Sequence, residues 1–242
     1  MKDLDFIAEN YHNCEMSDQW IENAAQEFEL DWILNSIDTE SPTIDLGWGD
    51  GICAPKIARV SSSYFLIEGS HALAAEAGSV LAEYGNAVVH RAMFESWSPR
   101  STDLAGTIVA SHVLEHVDDP VALLGRMKSW LKPGGTIVGL VPNARSIHRL
   151  VGVLTGAATS PYELSERDHM VGHQRVFDLQ SLTEVFDRSG FRVEETKGFF
   201  LKPSNNARLL DLPRNHVLAL VTLGDLVGPE HAANIAFRIS PM

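Results

Sequence analysis

The sequence predicts one α/β domain built on a doubly wound, mostly parallel sheet, and three observations lead to this prediction. Short apolar runs alternate with helical patterns between residues 43 and 143. These runs are almost continuously hydrophobic, which is typical of parallel strands buried on both faces. A glycine turn, Gly47–Gly51, directly follows the first run. A strand, a glycine turn and a helix in succession form nucleotide sites at the carboxyl ends of strands in open α/β sheets.

Composition excludes several classes of protein. The chain has 242 residues, of which 45% are hydrophobic and 21% charged, as in an ordinary globular domain. Its net charge of −13 argues against a nucleic-acid partner, because binding phosphates requires clustered Lys and Arg. Cys14 and Cys53 form neither a disulfide framework nor a Cys-x-x-Cys site, which favours a reducing compartment. We find no signal core and no run of about 18 apolar residues. We therefore expect a cytoplasmic protein, monomeric or homodimeric, without a membrane partner.

The first 40 residues read as a helical cap. Apolar residues in Ser17–Leu34 recur close to the 3.6-residue period of a helix. Two interpretations remain open for this segment. It is either a helix packed on the sheet with a frayed start, or a lid over the active site from which Tyr11 and His12 reach the substrate.

The elements after the cap follow in order. Residues 43–143 form the predicted cofactor half. Its predicted strands are Thr43–Leu46, Tyr64–Ile67, Ala87–His90, Thr107–Ala110 and Thr136–Val141. Its predicted helices are residues 52–60, Ala72–Tyr84 and Val121–Leu131. The corner Pro133-Gly134-Gly135 should separate the last helix from the last strand of this half. Residues 144–232 form the predicted substrate side. Its predicted helices are Ser146–Leu154, Leu179–Arg188 and His216–Leu226, its predicted strand is Phe191–Thr196, and a long loop is expected over 155–175. Residues 233–240 should be the final strand, and no second domain is expected.

Two acidic residues indicate which ligand the turn binds. Glu68 ends the second strand, 23 positions after Asp45, where a carboxylate accepts hydrogen bonds from a ribose. The turn reads G-x-G-x-G, whereas dinucleotide sites read G-x-G-x-x-G. Asp45 directly before it would repel a pyrophosphate but attract a cationic amino group or sulfonium. These are the charges of S-adenosylmethionine.

Four blocks together carry a family resemblance. They are Asp45–Gly51, Glu68, Val113-Leu114-Glu115-His116-Val117-Asp118-Asp119-Pro120, and Leu131-Lys132-Pro133-Gly134-Gly135. In this order and spacing the chain resembles class I S-adenosylmethionine-dependent methyltransferases, above all the group with ubiquinone-biosynthesis-type O-methyltransferases and many small-molecule methyltransferases. The resemblance covers Thr43 to Asn143. It implies a Rossmann-like, seven-stranded sheet with helices on both faces and an antiparallel strand seven. It also implies S-adenosylmethionine as cofactor and S-adenosylhomocysteine as product.

The resemblance also implies cofactor-binding roles for individual residues. It implies that Asp45, Gly47, Gly49 and Gly51 hold the methionine portion and the nucleoside edge, and that Glu68 binds the ribose hydroxyls. It further implies that Gly69, Ser70, Phe94 and Glu95 contact the adenosine, and that Ser111 and His112 lie beside the methyl donor. Trp48 either stacks over the cofactor or covers the sheet edge. Glu115 and His116 are favoured as a structural network.

The acceptor side is less specified. His112, His169 and His173 are the candidate catalytic bases, and His112 is preferred because it follows the fourth strand. Arg149 and Arg175 could hold a substrate carboxylate or phosphate, or could neutralise neighbouring acids. His169 and His173 are four residues apart, as in metal-binding helices, but no H-E-x-x-H frame surrounds them, so we expect no metal.

The predicted function is methyl transfer from S-adenosylmethionine to a nitrogen or oxygen of a small molecule, by in-line displacement and by analogy in specialised metabolism. The alternatives are a peptide or protein methyltransferase and, behind it, a non-catalytic cofactor-binding partner.

Overall fold

The computed structural model describes residues 4–5 and 18–242. One sheet contains the seven strands, in the order β3-β2-β1-β4-β5-β7-β6. Their bounds are β1 Thr43–Leu46, β2 Tyr64–Glu68, β3 Ala87–Arg91, β4 Ala105–Ser111, β5 Leu131–Pro142, β6 Phe191–Phe199 and β7 Asn234–Pro241. The helices of the described ranges are α1 Gln19–Asn35, α2 Ala54–Val60, α3 His71–Leu81, α4 Pro120–Lys128, α5 Ile147–Leu154, α6 Glu166–Met170, α7 Leu179–Arg188, α8 Asn206–Leu209, α9 Arg214–Thr222 and α10 Gly224–His231.

The topology confirms the predicted Rossmann-like fold. Strands β1 to β5 pair in parallel, and β7 lies antiparallel between β5 and β6. The order of the sheet reverses between β1 and β4, so a crevice opens beyond the carboxyl ends of these two strands. The predicted glycine turn follows β1 and therefore lies at this crevice.

The Pro133-Gly134-Gly135 corner was wrongly predicted to precede β5, because it lies inside that strand. Helix α4 already ends at Lys128, and Leu131 pairs with Ala105 of β4. The pairing then shifts register before Thr107, which makes the corner a β-bulge. A side chain at Gly135 would lie 2.8 Å from the Ala105 carbonyl oxygen, so this bulge requires a glycine.

Two further elements differ from the prediction. The single helix expected over His216–Leu226 is divided into α9 and α10 at Leu223. The expected loop over 155–175 contains the short helix α6. Its first turn is closed by a capping box, in which Ser165 and Asp168 each bond the other's backbone N–H.

Hydrophobic clusters on the two faces of the sheet hold the scaffold of the crevice. Leu30 and Ile33 of α1 pack with Trp48 and Ile57 on one face, and Ile21 of α1 packs with Val217 of α9. Helix α1 is therefore a helix packed on the domain, while Tyr11 and His12 lie outside the described residues. Within the described part of the chain, no helix combines the length and apolar character needed to cross a bilayer.

Candidate active site

A cavity of about 1480 Å³ opens beyond the carboxyl ends of β1, β2 and β4. The glycine turn, the end of β2 and the loop after β3 line one part of it. Helices α1 and α5, the segment around α6 and residues 200–208 line the other. The cavity thus joins the predicted cofactor half to the predicted substrate side.

Two of the three predicted glycines of the turn, Gly47 and Gly49, line this cavity, whereas Gly51 does not. Gly47, Gly49 and Gly51 all have left-handed φ angles, of 89°, 60° and 77°. Glu68, the last residue of β2, joins the turn to the start of α3, because one carboxylate oxygen accepts from Trp48 N at 2.9 Å and the other from Ser70 N at 2.7 Å. Burial raises the pKa of Glu68, and these backbone N–H groups oppose the rise.

Asp45 is only 5% exposed and lines the cavity at the end of β1. Tyr64 of the adjacent strand β2 donates a hydrogen bond of 2.7 Å to Asp45 Oδ2. Burial nevertheless raises the pKa of Asp45 to about 7. A cation bound beside this carboxyl would favour its charged form, which is the pairing that the sequence predicts.

Trp48 is a core residue of the turn. It is 4% exposed, and its indole N–H donates to Glu76 at 3.2 Å. A Cβ added at Gly51 would lie 2.6 Å from the indole ring, so the ring packs directly beneath that glycine. This contact favours the packing alternative for Trp48 over stacking on a cofactor.

The predicted adenosine contacts converge at one end of the cavity. Its lining there includes Gly69, Ser70, half-buried Phe94 and exposed Glu95. Two N-terminal residues also reach this end. Leu4 lies against Gly69, and Asp5 accepts a hydrogen bond of 2.6 Å from the Ser70 hydroxyl.

Beside Ser111, His112 lies between two buried carboxylates. Its Nδ1 is 3.3 Å from Glu115 Oε1, and its Nε2 is 3.7 Å from Glu29 Oε2. Burial alone would lower the pKa of His112, but the two carboxylates raise it to about 10. The imidazole remains 31% exposed, so solvent in the cavity moderates this shift. An imidazolium cannot accept a proton, so this geometry favours a positively charged positioning group over the predicted general base.

The other two candidate histidines differ in position. His173 lines the cavity, and its Nδ1 donates to Asp168 Oδ1 at 2.8 Å. His169 is exposed on α6 and is not part of the cavity lining, so the structure does not bring it to the site.

The two predicted substrate-binding arginines hold loops. Arg149 lines the cavity, but its guanidinium donates to Asp168 at 2.8 Å and to the Glu163 carbonyl at 2.8 Å. Arg175 lies outside the lining and donates to backbone carbonyls of the turn after β4.

Sequence reasoning missed the polar residues that α1 contributes to the end of the cavity away from the glycine turn. Helix α1 turns Glu22, Gln26 and Glu29 toward the cavity, and this 4-then-3 spacing is a signal that the sequence already contained. Opposite them, Lys202 lies 3.5 Å from Glu22, and Asn206 also bonds that carboxylate. Burial would raise the pKa of Glu22, but Lys202 and Asn206 lower it to about 2.

Three buried polar atoms at this end have no hydrogen-bond partner among the described residues. They are Gln26 Oε1, Asn206 Oδ1 and His148 Nδ1. Burial, together with the charge of Lys202, lowers the pKa of His148 to about 3, so its imidazole is neutral. Buried polar atoms normally have partners, so the hydrogen-bonding capacity of these three atoms is not used within the described part of the chain.

Comparison with known proteins adds an independent line of evidence. A family model described as a methyltransferase domain matches residues 15–196, which is more than half of the chain. No curated protein sequence matches the chain significantly.

Solved structures share the fold at low sequence identity. An S-adenosylmethionine-dependent methyltransferase from Mesorhizobium loti has 15% identity and a TM-score of 0.63, over 90% of this chain and 99% of that one. A putative methyltransferase of Haloferax volcanii was solved in complex with the Trm112 activator. It has 15% identity and a TM-score of 0.64, over 100% of this chain and 99% of that one.

A third structure is an O-methyltransferase from neocarzinostatin biosynthesis, solved with S-adenosylhomocysteine and 1,4-dihydroxy-2-naphthoic acid. It has 17% identity and a TM-score of 0.54, over 92% of this chain and only 57% of that enzyme. The family match and the sheet topology together lead to one conclusion: the chain belongs to the methyltransferase-domain family, with the fold of class I S-adenosylmethionine-dependent methyltransferases.

Proposed function

We propose that the protein transfers the methyl group of S-adenosylmethionine to a nitrogen or oxygen atom of a small-molecule acceptor. The observation that carries this proposal is the single cavity of about 1480 Å³ that joins the glycine turn to the α1–α5 end. A pocket for one drug-sized ligand measures about 300–1,000 Å³. The larger volume has room for the donor and a small acceptor side by side.

The residues at the donor end fit S-adenosylmethionine chemically. Asp45 would face the cationic part, and Glu68 would accept from the ribose hydroxyls. A carboxylate has about four lone-pair sites, and backbone N–H groups use two of those on Glu68. The lone pairs that remain on Glu68 are therefore left for the hydroxyls of a ribose.

The residues at the acceptor end favour a small polar molecule. Polar Gln26, Asn206 and neutral His148 line this end of the cavity, and Lys202 and Glu22 add one charge of each sign. Since a sulfonium methyl is already activated, alignment and exclusion of water supply most of the rate enhancement, about 7–11 kcal/mol for well-oriented reactants. An amine that binds neutral needs no base, whereas a hydroxyl gains from a group that removes its proton.

We place the reaction in specialised metabolism by analogy with the enzyme of neocarzinostatin biosynthesis, whose fold the chain shares. A peptide acceptor is the alternative and predicts a different substrate preference.

The test is a methyl-transfer assay with S-adenosylmethionine and matched acceptors. Phenols, amines and carboxylic acids would be compared with short peptides carrying the same groups, and S-adenosylhomocysteine would be quantified by mass spectrometry. The proposal expects at least one free small molecule to be turned over more efficiently than its peptide counterpart. Preference for the peptides would support the alternative, and an absence of S-adenosylhomocysteine binding by calorimetry would overturn both.

A further inference from the structure

Acidic side chains outnumber basic ones around the cavity. Over the part of the chain that the structure describes, the lining contains eleven Asp and Glu residues and five Lys and Arg residues. S-adenosylmethionine has an ammonium, a sulfonium and one carboxylate, so a bound donor adds a single net positive charge and does not offset this excess of acid. The charge that an acceptor can carry then depends on whether the few basic residues are free to bind it.

Two basic residues at the acceptor end, the part of the cavity lined by α1, α5, the segment around α6 and residues 200–208, are paired with carboxylates on or next to α1. Arg167 Nη1 donates to Asp18 Oδ2 at 3.0 Å, and Lys202 Nζ lies 3.5 Å from Glu22 Oε1. The side chains of Asp18 and Lys202 are only 12% and 13% exposed. Because a largely buried charge that loses its partner is strongly unfavourable, neither pair separates easily.

A third basic residue, Arg149 of α5, is committed in the same way. Its Nη2 donates to Asp168 Oδ2 at 2.8 Å, and both side chains are largely buried. His112 adds a positive charge just after β4, but it lies between Glu29 and Glu115, so two carboxylates face one imidazolium. These cations could bind an acidic group only by leaving a carboxylate without its partner.

The two remaining basic residues of the described lining are less suited to hold an acceptor. Arg126 belongs to the donor end, because it donates at 2.9 Å to the carbonyl of Trp97 in the loop after β3. Arg208 lies at the acceptor end but is exposed. Water and salt screen an exposed charge, so an ion pair with Arg208 would add little affinity.

We propose that the acceptor is uncharged or positively charged and carries no carboxylate or phosphate group. An anion would enter a cavity with an excess of acids, and it would have to separate an existing ion pair before it met a buried cation. An acceptor with an amino group meets the opposite situation, because the surplus carboxylates attract it. The proposal names the charge class of the acceptor and therefore rests on the proposed function.

The test places a charge at the acceptor end without requiring the identity of the acceptor. It uses three analogues of S-adenosylhomocysteine in which a nitrogen atom replaces the sulfur and bears an aminopropyl, a butyl or a carboxyethyl arm. In-line displacement requires the methyl group to point at the acceptor, so an arm at the same position extends into that space. The arms are similar in length and differ in charge. Calorimetry with the full chain would measure the affinity of each analogue and of S-adenosylhomocysteine.

In the wild type we expect the aminopropyl analogue to bind most tightly and the carboxyethyl analogue most weakly. Their affinities should differ at least about 10-fold, because the arms differ by two unit charges in a partly buried site. Asp18→Asn removes the partner of Arg167, and Glu22→Gln removes the partner of Lys202, so each variant should reduce this ratio at least about threefold. Glu27→Gln is the matched control, because it removes a charge from an exposed position of α1 outside the lining and should leave the ratio unchanged.

Each ratio is measured within one variant, so a change in affinity for the shared adenosyl part cancels. Circular dichroism would verify the fold, and Asp18→Asn is sufficient if Glu22→Gln does not fold, because the Asp18 side chain makes no capping bond to α1.

The proposal is overturned if the carboxyethyl analogue binds the wild type as tightly as the aminopropyl analogue, or if a chain that binds S-adenosylhomocysteine does not bind the aminopropyl analogue. It is also overturned if Asp18→Asn leaves the ratio unchanged, or if Glu27→Gln lowers it to the same extent. These outcomes refute the charge class alone when S-adenosylhomocysteine still binds. A chain that binds neither S-adenosylhomocysteine nor any analogue refutes the proposed function itself.

Discussion

Glu68 provides the sharpest test of the donor site, because its carboxylate has two separable tasks. It accepts the backbone N–H groups of Trp48 and Ser70, which supports the turn, and its remaining lone pairs are left for a ribose. Replacing Glu68 by Ala removes both tasks, so the effect on stability and the effect on affinity must be measured independently.

The magnitude of each effect follows from the contacts. Two hydrogen bonds to a charged group contribute about 3–6 kcal/mol together. Since about 1.4 kcal/mol changes affinity tenfold, Glu68→Ala should weaken S-adenosylhomocysteine binding by roughly two to four orders of magnitude. The two buried N–H groups left without acceptors should each destabilise the fold by about 1–3 kcal/mol. At about 2–4 °C per kcal/mol, the Tm should fall by at least about 4 °C.

Calorimetry with S-adenosylhomocysteine, well below the Tm of every variant, would measure the affinity. Glu68→Gln keeps the shape and one acceptor oxygen but turns an amide donor toward one of the backbone N–H groups, so we expect an intermediate loss. Glu83→Ala is the matched control, because it removes the same charge from an exposed position near the end of α3. An affinity of folded Glu68→Ala within about threefold of the wild type would refute the ribose assignment.

Three other perturbations follow from the structure. Burial raises the pKa of Asp45 to about 7, so the folded state holds a proton there that the unfolded chain releases above about pH 4. The free energy of unfolding should therefore fall by roughly 4 kcal/mol as the pH rises from 4 to 7. Thermal melts should show that Asp45→Asn loses less stability than the wild type over this range. Binding of the cationic donor at pH 6 should release a proton from the wild type but not from Asp45→Asn, which calorimetry in buffers of different ionisation enthalpy measures. Gly51→Ala should lower the Tm more than Gly49→Ala, because both have positive φ angles but only a Cβ at Gly51 would meet the Trp48 ring, at 2.6 Å; equal Tm values would contradict this packing. His112→Gln leaves two buried carboxylates without their cation and should destabilise the fold by about 3–5 kcal/mol in urea unfolding, whereas a change below 1 kcal/mol would show that the charge is unimportant there.

Local signals in the sequence were sufficient to predict the fold and the methyl donor. Gly47, Gly49 and Gly51 have left-handed φ angles, which glycine adopts more readily than other residues. The turn could therefore be predicted from the residue types alone. Asp45 and Glu68 were predicted as donor contacts because they lie next to and at the end of a strand, and the ends of adjacent parallel strands meet at one edge of the sheet. The Pro133–Gly135 corner was misplaced because a β-bulge depends on the partner strand, which local sequence does not specify.

Tertiary structure decided the chemistry of the acceptor side. His112 was predicted as a base from its position, but two carboxylates, from α1 and from the turn after β4, lie beside it and raise its pKa, and their approach depends on how those elements pack. The same packing brings His173 close to Glu115 and His116, which lie 58 and 57 residues earlier in the chain. A residue's pKa and partners depend on neighbours in space. The sequence by itself therefore determined the fold and the donor, whereas only the folded chain determined which polar groups line the other end of the cavity.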